Sequence, residues 1–324
     1  MNTLEKIIND GKQVQHAKNE KMKDKEYKPL GKSTINIYIT NLSKLHREIK
    51  TDIEIENFDW LLDKETIKEY INNLQSANTR KNYLTVIISV LYSNYDKYKN
   101  AIEFYIKLAS NNIVDIRNNL KKDKGCSEGK IITMTEYDNL LNKLKKNMKY
   151  KVEYIILSIL KHYPIRNEIF NLKYIKYSDY KLLDKNERLK FNWIVEKTNK
   201  MTMSRNDYKT SDIYNQINTD LNIEIKKMLK KYILDFDIES GDNLFAIKPQ
   251  TMVSKLANTT ESIVNIKIGT STIFKIVCCD VLQRYKDTER IDMLRYYGSI
   301  RGTNLKNLIE YYLYSDVNDI PNDD

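Results

Sequence analysis

From Ser33 onward apolar side chains recur at Ile35, Tyr38, Ile39, Leu42 and Leu45. Spacings of three and four place them on one stripe, so the pattern predicts an amphipathic helix with Ser33 or Thr34 as its cap. A second helix follows in DKETIKEYINNL, with Asp63 placed to cap it and Ile67, Tyr70, Ile71 and Leu74 facing inward. A third runs through ANTRKNYLTVIISVLYSNY and a fourth through NAIEFYIKLASNNIVDIRNNL. Together they predict a small helical bundle over residues 30–120. Ahead of it, HAKNEKMKDKEYK has too few apolar groups to bury, so residues 1–29 read as a flexible basic arm or a frayed, solvated helix. The stretch KKDKGCSEGK, 121–130, concentrates charge and two glycines between periodic segments and reads as a linker.

Beyond it, ITMTEYDNLLNKLKK opens with a capping box, Thr133 followed three residues later by Glu136. VEYIILSILKHY is apolar nearly all round, as a central helix must be. The period then shortens towards two. FNWIVEKTN, KMTMSRNDYK and TSDIYNQINTDL predict short strands joined by turns, ahead of a helix in NIEIKKMLKKYIL. From about Thr270 the chain is helical again to Tyr314, and 315–324 form a polar tail. The expected fold is mainly α: an N-terminal helical bundle, then a mostly helical domain over 131–314 with a small antiparallel sheet.

Composition narrows the function. A chain of 324 residues has length for two ordinary domains. Its net charge of +10 makes a polyanion the default partner, because neutralising phosphates releases counterions and gives affinity without reading sequence. Cys126, Cys278 and Cys279 offer neither a disulfide framework nor a metal-ligand spacing, which points to a reducing compartment. With histidines only at His16, His46 and His162, zinc chemistry and Ser-His hydrolysis are poorly supplied. No apolar run approaches the roughly 18 residues of a membrane span, so a soluble intracellular protein is expected. There is no Walker-type glycine loop, no H-E-x-x-H, no acidic cluster spaced for two metal ions and no repeat, so no nucleotide, metal or other cofactor is expected.

One short stretch carries candidate chemistry. In YPIRNEIFNLKY, Arg166 follows a proline inside an apolar pattern of Ile165, Ile169, Leu172 and Tyr174, read as the buried face of a helix. A charge at such a helix start can meet an anion, or form a plain surface ion pair with Glu168.

Read together, PIRNEIFNLKY, RNDYKTSDIYNQI and RYYGSIRGTNLKNLIEYYLY resemble motifs of the tyrosine recombinase and integrase family, and STINIYITNLSKLHREI and ANTRKNYLTVIISVLYSN resemble its core-binding helices. The resemblance spans residues 30–314. It implies a DNA-binding bundle over 30–120, with Lys32, Lys44, Thr79, Arg80 and Lys81 towards DNA, and a catalytic domain over 131–314. Arg166 would contact the scissile phosphate with Glu168 as its buttress; a guanidinium suits this because its fork bonds two oxygens and stays charged. Lys209, or Lys200 on the preceding strand, would protonate the departing 5′ oxygen. Aligning Gly302 makes Tyr312 the nucleophile, with Tyr311 and Tyr314 open; its phenolate would form a 3′-phosphotyrosine and conserve the bond energy for rejoining. The resemblance further implies a metal-independent, site-specific recombinase of a virus or mobile element, acting as a homotetramer on double-stranded DNA.

The sequence also departs from that family. Where the family has a histidine and a second arginine, STIFKIVCCDVLQRY places Thr272 and Lys275, and Thr303 stands where a later histidine or tryptophan usually lies. Lysine lacks the bidentate fork, so the replacement is not conservative. Either Arg284, Arg295 or Arg301 compensates, or the chain binds and organises DNA without cutting it. A DNA-relaxing topoisomerase and a helical scaffold that binds nothing are the remaining readings.

Overall fold

Helix caps written in the sequence set the ends of several elements. The computed structural model describes residues 3–19, 26–50, 54–122 and 131–311, in two units, Met1–Lys122 and Asp123–Asp324. The first unit holds α1 (Thr3–Lys18), α2 (Lys32–Lys50), α3 (Lys64–Asn73), α4 (Ala77–Tyr92) and α5 (Tyr95–Lys122). Asp63 accepts from the Thr66 N–H at the start of α3, and Ser76 accepts from Thr79 at the start of α4. α2 begins just before its expected caps, with the Thr34 N–H donating to the Gly31 carbonyl at 2.9 Å. α4 is buried along most of its length, from Tyr83 to Tyr92 apart from Thr85, and packs against α1, α2, α3 and α5.

The expectation of a flexible arm over 1–29 fails for α1, which joins this core. Ile8 is fully buried, and a Cβ at Gly11 would lie 1.8 Å from the Ser89 carbonyl oxygen of α4. Glycine lets the two backbones touch, and sparse apolar residues then suffice because close packing adds to their burial. Gly11→Ala is expected to lower stability by about 1–3 kcal/mol through overpacking. Hydrogen exchange should then show the α1 amides exchanging faster; wild-type protection in the variant would rule out the close contact.

The second unit runs α6 (Met134–Lys145), α7 (Lys151–His162), a 3-10 turn at Asn167–Asn171, β1 (Leu172–Lys176), α8 (Tyr177–Leu182), α9 (Lys185–Lys190), β2 (Asn192–Glu196), β3 (Met201–Arg205), α10 (Ser211–Tyr214), β4 (Ile217–Asp220), α11 (Ile223–Asp235), α12 (Pro249–Val264), α13 (Thr270–Arg284), α14 (Asp287–Arg301) and α15 (Leu305–Tyr311). The Thr133–Glu136 capping box forms at α6, and Ile155 to Leu160 of α7 are all buried. The fold is mainly α with one four-stranded sheet in the order β1-β2-β3-β4.

That sheet is mixed rather than antiparallel. β1 runs parallel to β2, while β2–β3 and β3–β4 are antiparallel. A parallel pair needs a crossover, which α8 and α9 supply. The pattern read as a helix from Ile165 to Tyr174 is therefore a 3-10 turn followed by a strand: Leu172 and Tyr174, two apart, meet the main core from β1. TSDIYNQINTDL divides into α10 and β4 rather than forming one strand. Ile194, Met201 and Met203 face the main core beside α7, while Ile175, Trp193 and Val195 form a smaller cluster with Tyr180, Leu183 and Phe191 of the crossover segment.

Candidate anion-binding cleft

The last carbonyls of a helix have no partners within it and carry its negative dipole end. At α14 these carbonyls organise the site. Arg205 Nη2 donates to the carbonyl of Ile300, Arg166 Nη1 donates to that of Arg301, and Thr210 Oγ1 donates to that of Gly302 at 2.9 Å. Gly302 ends the helix in the left-handed region, with φ +67°. Its carbonyl also lies 3.5 Å from both terminal nitrogens of Arg166. Two segments distant in sequence, around Arg166 and over 205–210, thus converge on one helix end.

They line a cleft of about 640 Å³, with Arg166, Asn167, Glu168, Lys209, Thr270, Ser271 and Arg301 in its wall. Arg166 is half-buried and Lys209 exposed. Arg301 is only 1% exposed. Its Nη1 donates to the carbonyls of Pro164, Ile165 and Thr270 at 3.0, 2.9 and 3.1 Å, and its Nη2 to Ser271 Oγ at 3.1 Å. Its guanidinium lies 4.7 Å from the Phe274 ring centroid. Arg301 thus binds the Arg166 segment to the start of α13, where Thr270 Oγ1 donates to Asn167 Oδ1 at 2.9 Å.

The loop bearing Lys209 is equally fixed. Buried Asn192 accepts from the N–H groups of Asn206 and Asp207 at 2.8 and 3.0 Å, and Asn206 donates to the carbonyls of Arg188 and Phe191. Tyr208 donates its hydroxyl to the Asn215 carbonyl at 2.6 Å. Burial pushes its phenol above the ordinary range. A phenol so engaged forms a wall of the cleft.

Several expected roles change. Glu168 does not buttress Arg166: its Oε1 pairs with Arg205 Nη1 at 3.0 Å, with the two side chains 6% and 0% exposed. Backbone carbonyls hold Arg166 instead. Lys200 pairs with Asp220 at 2.7 Å and is absent from the cleft wall. Thr272 and Lys275 sit on α13 but do not line the cleft; Thr270 and Ser271, the first two residues of the helix, do. Thr303 is buried outside the wall, its N–H donating to the Gly298 carbonyl. Arg284 pairs with Asp280 and Arg295 with Asp292, and neither lines the cleft. Tyr311 closes α15, but its side chain, Tyr312 and Tyr314 lie outside the described residues.

In the N-terminal unit, Lys32, Lys44, Thr79 and Lys81 are exposed. Arg80 is engaged internally rather than open to DNA, since it donates to Asn112 Oδ1 at 3.0 Å and to the Leu74 carbonyl at 2.8 Å.

No motif marks Arg205, but its position along the strand does. It continues the every-second-residue parity of Met201 and Met203, the two β3 side chains in the main core. Among the described residues, no three His, Cys, Asp or Glu side chains are grouped to hold a metal ion. No described helix is long and apolar enough to cross a membrane.

Comparison with known proteins returned no matching family. No curated protein matches either. Among solved structures, a crystal structure of XerA recombinase is similar at a TM-score of 0.39 and 14% identity, covering 96% of this chain and 94% of that one.

Proposed function

We propose that the chain binds double-stranded DNA and seats a backbone phosphate in the cleft between Arg166 and Lys209, where a tyrosine just beyond α14 cuts and rejoins the strand. The observation that carries this reading is the arrangement at the α14 terminus. Carbonyls clamp the Arg166 guanidinium beside exposed Lys209 and the Thr270 and Ser271 hydroxyls, and α15 follows from there, carrying the sequence on to Tyr311, Tyr312 and Tyr314. A guanidinium fixed in advance stabilises charge developing on phosphorus without reorganising.

In this reading a phenolate oxygen attacks phosphorus and forms a P–O bond. The P–O bond to the 5′ oxygen breaks, and Lys209 gives that oxygen its proton; the reverse sequence rejoins the strand. Site-specific recombination through an oligomer on DNA is the biological setting we infer. Binding without cleavage is the second reading. It is favoured by Thr272 and Lys275 lying outside the cleft and by Arg301 holding backbone carbonyls, which leaves Arg166 and Lys209 as the cations placed to meet a phosphate.

The deciding experiment traps the covalent intermediate. Wild type, Tyr311→Phe, Tyr312→Phe and Tyr314→Phe are incubated with nicked and supercoiled DNA and denatured, and protein bound to a 3′ end is measured. An adduct lost in one variant alone identifies the nucleophile; tight binding with no adduct from wild type establishes the second reading. Arg166→Ala should lower adduct formation by about 100- to 1000-fold. Losing one phosphate contact should also reduce the salt slope of duplex binding by about 0.9. Wild-type adduct yield in Arg166→Ala would remove Arg166 from the site.

A further inference from the structure

We infer that the face of the sheet beside the α8–α9 crossover binds a single nucleic-acid strand, at a site separate from the cleft of Arg166. On β3, Met201 and Met203 point into the main core, so Thr202 and Ser204 belong to the opposite face. That face floors a groove of about 630 Å³, continuous through Tyr177, Lys197 and Lys200 with a hollow of about 740 Å³.

Charge makes the groove a polyanion site. Its two lining carboxylates are each held by a lysine: Glu196 by Lys230 at 2.8 Å and Asp220 by Lys200 at 2.7 Å. Lys176, Lys181, Lys185, Arg188 and Lys197 also line it, and none of them forms a salt bridge with a described residue. The positive surplus therefore falls on these five. Tyr177, 41% exposed, lies among them, with Lys181 Nζ and Lys197 Nζ at 5.3 and 5.1 Å from its ring centroid.

An exposed ring between ammonium groups, over a floor of hydroxyl and amide side chains, matches a ligand that carries both negative charge and flat aromatic faces. A single strand offers both, phosphates to the lysines and an unstacked base to the ring. A duplex encloses its base faces and offers a groove chiefly its phosphates. An anionic membrane offers no aromatic face at all.

The full-length chain is titrated with fluorescent oligothymidylate and with a duplex of equal length, as wild type, as Lys181→Gln/Lys185→Gln/Lys197→Gln and as Tyr177→Ala. Equal melting temperatures establish that these surface changes leave the fold intact. The triple variant should reduce the single-strand salt slope by about 2. A fourfold rise in salt should then weaken wild type about 20-fold more than the variant. Tyr177→Ala should weaken oligothymidylate binding roughly 5- to 150-fold, the loss of one stacked base. Wild-type binding in both variants would overturn the site, and equal losses on duplex and single strand would make it a duplex contact instead. Adduct formation depends on the other cleft and should be unchanged in the triple variant, so absence of an adduct in wild type would leave the oligothymidylate result standing.

Discussion

Arg205→Ala is expected to destabilise the C-terminal unit by about 3–5 kcal/mol, the cost of leaving one charge of a buried pair without its partner. Arg205 is 0% exposed and Glu168 7% exposed, so water cannot take over from the missing guanidinium. The Ile300 carbonyl at the end of α14 loses its donor in the same step. Burial pushes the Arg205 guanidinium down from its ordinary value, and the Glu168 carboxylate opposes that shift. Neutralising both partners is therefore expected to cost less than removing one: Arg205→Met/Glu168→Gln should recover most of the loss. Urea unfolding of the single and the double variant measures both effects. A single variant within about 1 kcal/mol of wild type would mean that the pair is not isolated from solvent.

How much of this could be read in advance depends on the kind of signal. Caps are local, so Asp63 and the Thr133–Glu136 box are legible from adjacent residues. The uniform apolarity of α7 likewise needs no context. A 3-10 turn running into a strand defeats periodicity, because Ile165, Ile169 and Leu172 fall by chance at helical spacing before Leu172 and Tyr174 alternate. The apolar groups of α1 are too few to announce burial; what docks it is Gly11 touching the Ser89 carbonyl, a contact with a residue far along the chain.

In the candidate site, an arginine after a proline marked the Arg166 segment, and Lys209 lies in the same cleft. The partners that orient Arg166 stayed hidden because they are carbonyls at the end of α14, and every residue has a carbonyl. Glu168 went to the wrong arginine for a related reason. Spacing along the chain favours Arg166, but the 3-10 turn directs the carboxylate inward to β3. Lys275 and Thr272 were placed by alignment to a motif, whereas the cleft takes residues from the first two positions of α13.

Gly302→Val is expected to cost about 2–5 kcal/mol, combining the left-handed backbone at about 1–2 with overpacking at about 1–3. Gly302 has φ +67°, and a Cβ there would lie 2.7 Å from Thr210 Oγ1, 3.0 Å from Tyr208 Cε2 and 3.6 Å from Arg166 Nη1. Two companion variants separate the contributions. Gly302→Asn tolerates the left-handed conformation but keeps the crowding. Gly302→Ala/Thr210→Ala removes the hydroxyl in the way, at the expense of its 2.9 Å bond to the Gly302 carbonyl. If crowding dominates, Thr210→Ala should be less harmful beside Gly302→Ala than in the wild-type background, a coupling that a double-mutant cycle reads directly. If backbone strain dominates, the two changes should add and Gly302→Asn should be the mildest single variant. Unchanged thermal stability in Gly302→Val would show that the α14 terminus relaxes freely, and the carbonyls it presents to Arg166 and Thr210 would then be too mobile to fix the Arg166 guanidinium in place.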